Sequence, residues 1–269
     1  SDTLKAEGLL GDYTSTFKPG AGGSVGLGAF QEIKGKPEAA LVTGIAMTGG
    51  MYSNKSPLNL LTSTPIAKVL REYDAIVVPA NSKYRTLKQL MDELVAKPNS
   101  VAIAGGSKGG IDHQVIGLLA QKAGIDPTKL NYVVFSGGPE VITSVLSNST
   151  QVGISGSSEF AAFVASGKVR VLGVSSAKPL AGFKGQTFVR QGYNLVYGNW
   201  RGVMAPADIS KADYTNFIKV MDIMKVSPSW QEQLKKNNWD NEFAAGADFK
   251  AFLEKHIPEI NKVMKGLGI

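Results

Sequence analysis

The sequence has no cysteine among its 269 residues and only two histidines, His113 and His256. The first absence removes disulfides, zinc–thiolate sites and cysteine nucleophiles together, and leaves the redox compartment open. The second argues against a histidine-rich metal site, so no metal and no other cofactor is expected. Long apolar runs are missing too, since none approaches the roughly 20 residues needed to span a bilayer. At the start, Ser1-Asp2-Thr3-Leu4-Lys5, no basic segment leads into an apolar one, so a signal peptide is either already removed or was never there. The lysines behind the net charge of +7 are scattered over helix faces, as in Lys211 to Lys225 and Lys235-Lys236, and no stretch interleaves basic and aromatic residues as a single-strand binder would. A solvated basic surface fits that pattern better than a nucleic-acid groove, and no nucleic-acid partner is expected.

What remains is an ordinary globular composition, 43% hydrophobic and 19% charged, in a chain long enough for two domains. Strand, turn and helix alternate through most of it, which predicts an α/β fold with largely parallel sheets. Strands are expected at Tyr13 to Phe17, Ala39 to Ala46, Asp74 to Val78, Ser100 to Ala104, Tyr132 to Phe135, Val152 to Ile154, Val169 to Val174 and Tyr197 to Ala205. Helical spacing marks Ser24 to Ile33, Pro65 to Leu70, Thr86 to Val95 with Thr86 as N-cap, Asp112 to Ala123, Pro139 to Leu146 and Ser158 to Ala165. From Lys211 onward the chain reads as helices. The alternation predicts a central domain over residues 101–198 inserted into another made of 1–100 and 199–269, with two connections forming a hinge.

Glycine-rich turns recur at the ends of apolar runs: Pro19-Gly20-Ala21-Gly22-Gly23, Gly105-Gly106-Ser107-Lys108-Gly109-Gly110 and Ser136-Gly137-Gly138-Pro139. Small residues let backbone N–H groups approach a ligand, and a following helix adds positive partial charge at its N-terminus. In the second turn a carboxylate would meet the Ser107 hydroxyl, the Lys108 charge and the N–H groups of Gly109 and Gly110 together. Lys108 fits either contact or steering at the rim, and His113 either the ligand or its own loop. Ser136, Gly137 and Gly138 repeat the design on the next strand. The Ser155-Gly156-Ser157-Ser158 turn offers Ser157 as a further contact, with Ser158 read as an N-cap. The segment Thr48-Gly49-Gly50-Met51-Tyr52 reads as an exit loop, with Thr48 and Gly49 facing the anion from the other lobe.

Catalytic patterns are thin. No Gly-Lys-Ser/Thr follows the first turn at phosphate-loop spacing, and Gly22-Gly23-Ser24-Val25-Gly26 is a poor dinucleotide fingerprint. Gly105-Gly106-Ser107-Lys108-Gly109 has the letters of a nucleophile elbow, but the later histidine it requires is His256, far along a C-terminal helix. A binding protein is therefore expected rather than an enzyme, with a serine hydrolase using Ser107 as the alternative from a different class.

The ordered succession of the three glycine turns, Ile111-Asp112-His113, Tyr132 to Phe135, Gly167 to Leu172 and Asn199-Trp200-Arg201-Gly202 resembles the periplasmic solute-binding component of tripartite tricarboxylate transporters, the TctC/Bug family. The resemblance runs over essentially the whole chain. It implies a two-lobed type II periplasmic binding protein, a "Venus flytrap", acting as a monomer that delivers a small carboxylate to membrane permease subunits. The Asn-Trp-Arg-Gly and Asp-His variants look most like the branch associated with citrate, with a C4 to C6 dicarboxylate as the second choice. Relatives begin with a strand and a Pro-Gly-Gly-Gly loop, whereas this chain opens inside the helix that follows, so the opening strand and loop of the first lobe are either absent or simply not included in this sequence. Gly153 stands where many relatives carry an acid, a change that suits a polyanion.

Overall fold

The computed structural model describes residues 1–269. In chain order the elements are α1 (Asp2–Ala6), α2 (Ser24–Gln31), β1 (Leu41–Gly44), α3 (Ile45–Ser53), β2 (Thr64–Pro79), α4 (Leu87–Ala96), β3 (Ala102–Gly105), α5 (Ile111–Lys122), β4 (Asn131–Val134), α6 (Gly138–Leu146), β5 (Val152–Gly156), α7 (Ser157–Ala165), β6 (Val169–Val174), β7 (Gly198–Ala205), α8 (Lys211–Met224), α9 (Pro228–Asn237), β8 (Ala244–Ala245) and α10 (Gly246–Gly266). They form two compact units, Ser1–Arg71 with Trp200–Asn261, and Glu72–Asn199 with Lys262–Ile269. No helix is long and apolar enough to cross a membrane.

The chain passes from the first unit to the second inside β2. Residues 65–70, whose spacing suggested a helix, instead continue into residues 74–78 as one strand of 16 residues. The physical reason is burial on both faces: Ile66, Ala67, Val69, Leu70, Ala75, Ile76, Val77 and Val78 are all buried, and such a run carries no clean period of either kind. Residues 72–100 thus pack with the second unit, where the alternation of elements had suggested the first.

In the first unit β1 pairs antiparallel with β7, from Leu41 opposite Met204 to Gly44 opposite Arg201, and β2 pairs antiparallel with β8. Ile66, Val69 and Leu70 of β2 pack with Met221 and Met224 of α8 and with Trp230 and Leu234 of α9. Serine caps start both helices: Ser210 accepts from the Asp213 N–H and Ser227 from the Trp230 N–H, each worth about 1 kcal/mol. Trp200 is 1% exposed, edge-on to Phe249 and Phe252, which makes it a core residue. Residues 13–17, expected as a strand, form no regular element and lie exposed; no strand pairs with them.

In the second unit the strand order is β4-β3-β5-β2-β6. β3 runs parallel to β4 and β5, while β2 meets β5 and β6 antiparallel, so the sheet is mixed rather than largely parallel. The long β2 explains the difference: it enters this sheet directly from the first unit, without a helical crossover to orient it. Ala75, Val77, Ala104, Val141, Val145, Phe160 and Val174 form the core beneath α6 and α7. Thr86 caps α4 in a reciprocal box with Gln89. At Gly153 a Cβ would lie 2.7 Å from Val145 Cγ2 and 3.2 Å from Val141 Cγ1. Glycine there meets a packing demand between β5 and α6, so this position carries no information about ligand charge.

Candidate functional site

Because β4, β3 and β5 are parallel neighbours, each followed by a helix, the N-termini of α6, α5 and α7 gather at one edge of the sheet in the second unit. Ligands of open α/β sheets bind at such edges. The structure brings Ser107, Lys108, Gly109, Gly110, His113, Ser136, Gly137, Gly138 and Ser157 to these turns. Thr48 and Gly49 belong to the other unit and lie buried within α3, not in a loop. The Thr48 hydroxyl donates to the Ile45 carbonyl at 2.8 Å, so the helix already takes it up; the apolar run of residues 39–46 and the glycines after it gave no sign that a helix starts at Ile45.

The β3–α5 turn is tied to its own helix. Gly106 N–H donates to Asp112 Oδ2 at 2.7 Å, Gly109 N–H to His113 Nδ1 at 3.2 Å, and Gly110 N–H to the Ser107 carbonyl at 2.8 Å. Gln114 Nε2 holds the Gly109 carbonyl at 2.8 Å, and Gln114 Oε1 accepts from the Tyr197 hydroxyl at 2.6 Å. Tyr132 hydroxyl donates to the Gly106 carbonyl at 2.9 Å, and its ring stacks on His113 with centroids 4.2 Å apart. Burial, with Lys108 nearby, lowers His113 to about 4, and since Nδ1 accepts a hydrogen bond the proton of the neutral ring sits on Nε2. With Nδ1 engaged by an amide rather than an acid, His113 lacks the orienting partner that a Ser-His-acid triad requires.

At the β4–α6 turn Ser136 N–H donates to Glu140 Oε2 at 2.9 Å, and the Glu159 side chain packs where Gly138 has no Cβ. Ser158 is not the cap of α7. The cap position is Gly156, and the Ser158 hydroxyl donates to Glu72. Ser157 Oγ is fully buried with no hydrogen-bond partner. Two of the turn amides that the glycines suggested for an external anion, those of Gly106 and Ser136, thus already meet protein carboxylates, and no hydrogen bond within the chain engages the N–H groups of Ser107, Gly137 and Gly138.

The sequence pattern did not single out the side chains that hold or underlie these turns: Glu72, Asp74, Asp112, Tyr132, Gln114 and Glu140. A signal was present for Asp74, an acid opening the apolar run Ala75 to Val78. Burial lifts Asp112 to about 6 against the lowering effect of the Gly106 N–H, while Glu72 adds like-charge repulsion. No group of three or more histidine, cysteine or acidic side chains is arranged to hold a metal ion.

A model of the tripartite tricarboxylate transporter family receptor, TctC, matches residues 15–269. The chain belongs to that family. Among solved structures it is similar to a TctC solute-binding protein from Polaromonas, at 20% identity over 93% of this chain and 85% of that one, with a TM-score of 0.68. It is similar to MatC from Rhodopseudomonas palustris with bound malate at 13% identity, over 91% and 85%, TM-score 0.79. A second R. palustris protein, with adipate, is 15% identical over 93% and 84%, TM-score 0.78. At these identities the likeness establishes the fold, that of a TctC-family periplasmic binding protein. No match is found among curated protein sequences.

Proposed function

We propose that this chain is an extracytoplasmic solute-binding protein that captures a small carboxylate and hands it to the membrane subunits of a tripartite transporter, without catalysing a reaction. The observation that carries the reading is the set of open N–H donors at Ser107, Gly137 and Gly138, gathered at one sheet edge beside three helix N-termini. Ser107, Lys108, Gly109, Gly110, His113, Ser136, Gly137, Gly138 and Ser157 line that edge. The protein's own carboxylates at Asp112 and Glu140 favour a ligand of low charge, which puts a dicarboxylate such as malate or adipate ahead of citrate. Malate and adipate occupy two relatives of the same fold. Calorimetric titration with malate, adipate and citrate is the test. The expected outcome is saturable heat with at least one of them, strongest for a dicarboxylate; heat with sugars or cationic amino acids alone overturns the reading.

A further inference from the structure

The net charge of +7 is unevenly held. The second unit carries fourteen lysines and arginines against eight acids, and the first unit fifteen against fourteen, so six of the seven charges belong to the second. Three of its acids, Glu72, Asp74 and Asp112, are buried, which leaves its surface more basic still. Much of the excess gathers at one end. Register sets Pro79 beside Val169 and brings the starts of β3, β4 and β5 abreast, at the sheet edge opposite the glycine turns. The loop after β2 is fixed there: Arg170 donates to the carbonyls of Ala80 at 2.6 Å and Tyr84 at 3.0 Å, and the Ala80 N–H donates to the Lys168 carbonyl at 3.1 Å. This edge displays Lys83, Arg85, Lys88, Lys97 and Lys168, all exposed, around the partly covered Arg170. Two acids answer them, Glu93 at 2.8 Å from Lys83 and Asp92 at 2.7 Å from Lys88. No carboxylate pairs with Arg85, Lys97 or Lys168.

Helix dipoles account for only part of this charge. α6 and α7 run from the turns back to this edge, and each brings a C-terminal partial charge of about half an electron. α5 ends there too, with Lys122 in its own last turn. α4 leaves the edge after Arg85 and returns to it at Lys97, so its two ends offset each other. The excess of six cations over two acids is therefore larger than the helix ends require. Apolar side chains sit among these cations: Val95, near the end of α4, is 57% exposed, and Leu146, the last residue of α6, is 37% exposed. Long cationic stems around exposed apolar groups fit the boundary between lipid headgroups and acyl chains, where the stems lie on apolar surface and the charged tips reach phosphate.

We infer that this edge of the second unit docks the protein on an anionic phospholipid surface, with Arg85, Lys97 and Lys168 meeting headgroup phosphates and Val95 and Leu146 at the acyl boundary. Docking of this kind goes beyond carboxylate capture and does not depend on it. Because the glycine turns lie at the opposite edge of the same sheet, docking leaves them open to solvent, and ligand and lipid bind independently. Each cation close to such a surface strengthens association about fivefold. The attraction fades as salt shortens the screening length from about 10 Å at 0.1 M to about 3 Å at 1 M.

The test is flotation with vesicles of phosphatidylcholine alone and of phosphatidylcholine with an equal part of phosphatidylglycerol, at both salt concentrations. It compares the parent with the triple variant Arg85→Gln, Lys97→Gln, Lys168→Gln, and with a triple of the same net charge in the first unit, Lys219→Gln, Lys235→Gln, Lys236→Gln. All six side chains are exposed, so the three proteins should share one unfolding midpoint. The parent is expected to float with the phosphatidylglycerol vesicles at 0.1 M salt, to be released at 1 M, and to stay off phosphatidylcholine. The second-unit triple should bind tenfold or more weakly, and the first-unit triple within threefold of the parent. A parent that does not float with anionic vesicles overturns the inference, and equal losses in the two triples do so as well, since net charge alone would then be the cause. Retention on immobilised polyglutamate that only the second-unit triple loses, without vesicle binding, overturns the lipid surface in favour of an acidic protein. Malate calorimetry with and without vesicles should give one affinity, and an affinity that vesicles change overturns the independence of the two edges. Vesicle docking that persists while malate, adipate and citrate all fail to bind supports the docking edge and strikes the carboxylate reading alone.

Discussion

The glycine turn in the first unit and the glycine turns in the second share a sequence pattern and differ in physics. Gly22, at φ +63°, lies against α3 so closely that a Cβ on Gly50 would fall 2.5 Å from the Gly22 carbonyl oxygen. Glycine is required on both sides because two backbones touch. In the second unit Gly137 is extended, and the nearest atom to its would-be Cβ is Pro139 Cδ at 4.0 Å. Space there is empty, with unpaired N–H groups beside it. The comparison teaches that a glycine motif alone does not separate a packing device from an anion site; the neighbouring backbone does.

The largest effect follows from the first side of that contrast. Gly50→Ala should destabilise the first unit by about 3 kcal/mol or more, because the clash is with backbone and no side chain can swing away. Gly137→Ala should stay within about 0.5 kcal/mol of the parent. Urea unfolding of both variants checks the pair, and equal midpoints would erase the distinction.

A smaller effect separates the two titrating groups of the second unit. Asp112 is raised from its usual 3.8 to about 6 by burial, so its contribution to stability is complete below pH 3.8 and is lost as pH rises through 6. His113 is lowered from 6.5 to about 4, also by burial, so its contribution is complete above pH 6.5 and is lost as pH falls through 4. Between pH 4 and 6 the slopes oppose each other, and for these two groups the parent curve is nearly flat. Asp112→Asn removes one slope, so the variant should lose stability relative to the parent as pH falls from 6.5 to 4.5. A parent-to-variant difference that is constant over this range would show that Asp112 does not titrate there.

Much of the fold was legible where one signal was strong. The Thr86 cap, Pro139 in the first turn of α6 and the β-branched run Val169 to Val174 all fall within a residue or so of the structure. Legibility failed where tertiary context decides. Nothing local distinguishes residues 65–70 as strand, because burial on both faces erases periodicity. Thr48 and Gly49 lie in a helix that begins directly after β1, with no side-chain cap to announce it. The turns of the proposed site were legible as turns: glycines and serines marked those that hold Ser107, Gly137 and Ser157. That Asp112 and Glu140 would reach back to Gly106 and Ser136 depends on χ angles and helix phase, which a one-dimensional pattern does not contain.

The smallest expected effect tests whether open backbone donors, rather than hydroxyls, hold the anion. The Ser136 hydroxyl makes no hydrogen bond within the chain, and it is the Ser136 backbone N–H that Glu140 engages, so Ser136→Ala leaves that tie intact. Its cost to carboxylate binding should stay below about 1 kcal/mol, at most one neutral hydrogen bond. Gly137→Val fits the extended backbone without strain, yet puts branched bulk into the open space beside the Gly137 and Gly138 N–H groups. It should weaken binding by about tenfold, or 1.4 kcal/mol, while leaving the unfolding midpoint near that of the parent. Calorimetry with malate at pH 5.5 gives both numbers. If Gly137→Val binds like the parent and Ser136→Ala does not, side chains hold the ligand, and the glycines of the second unit become turn formers with the same structural role as Gly22 and Gly50.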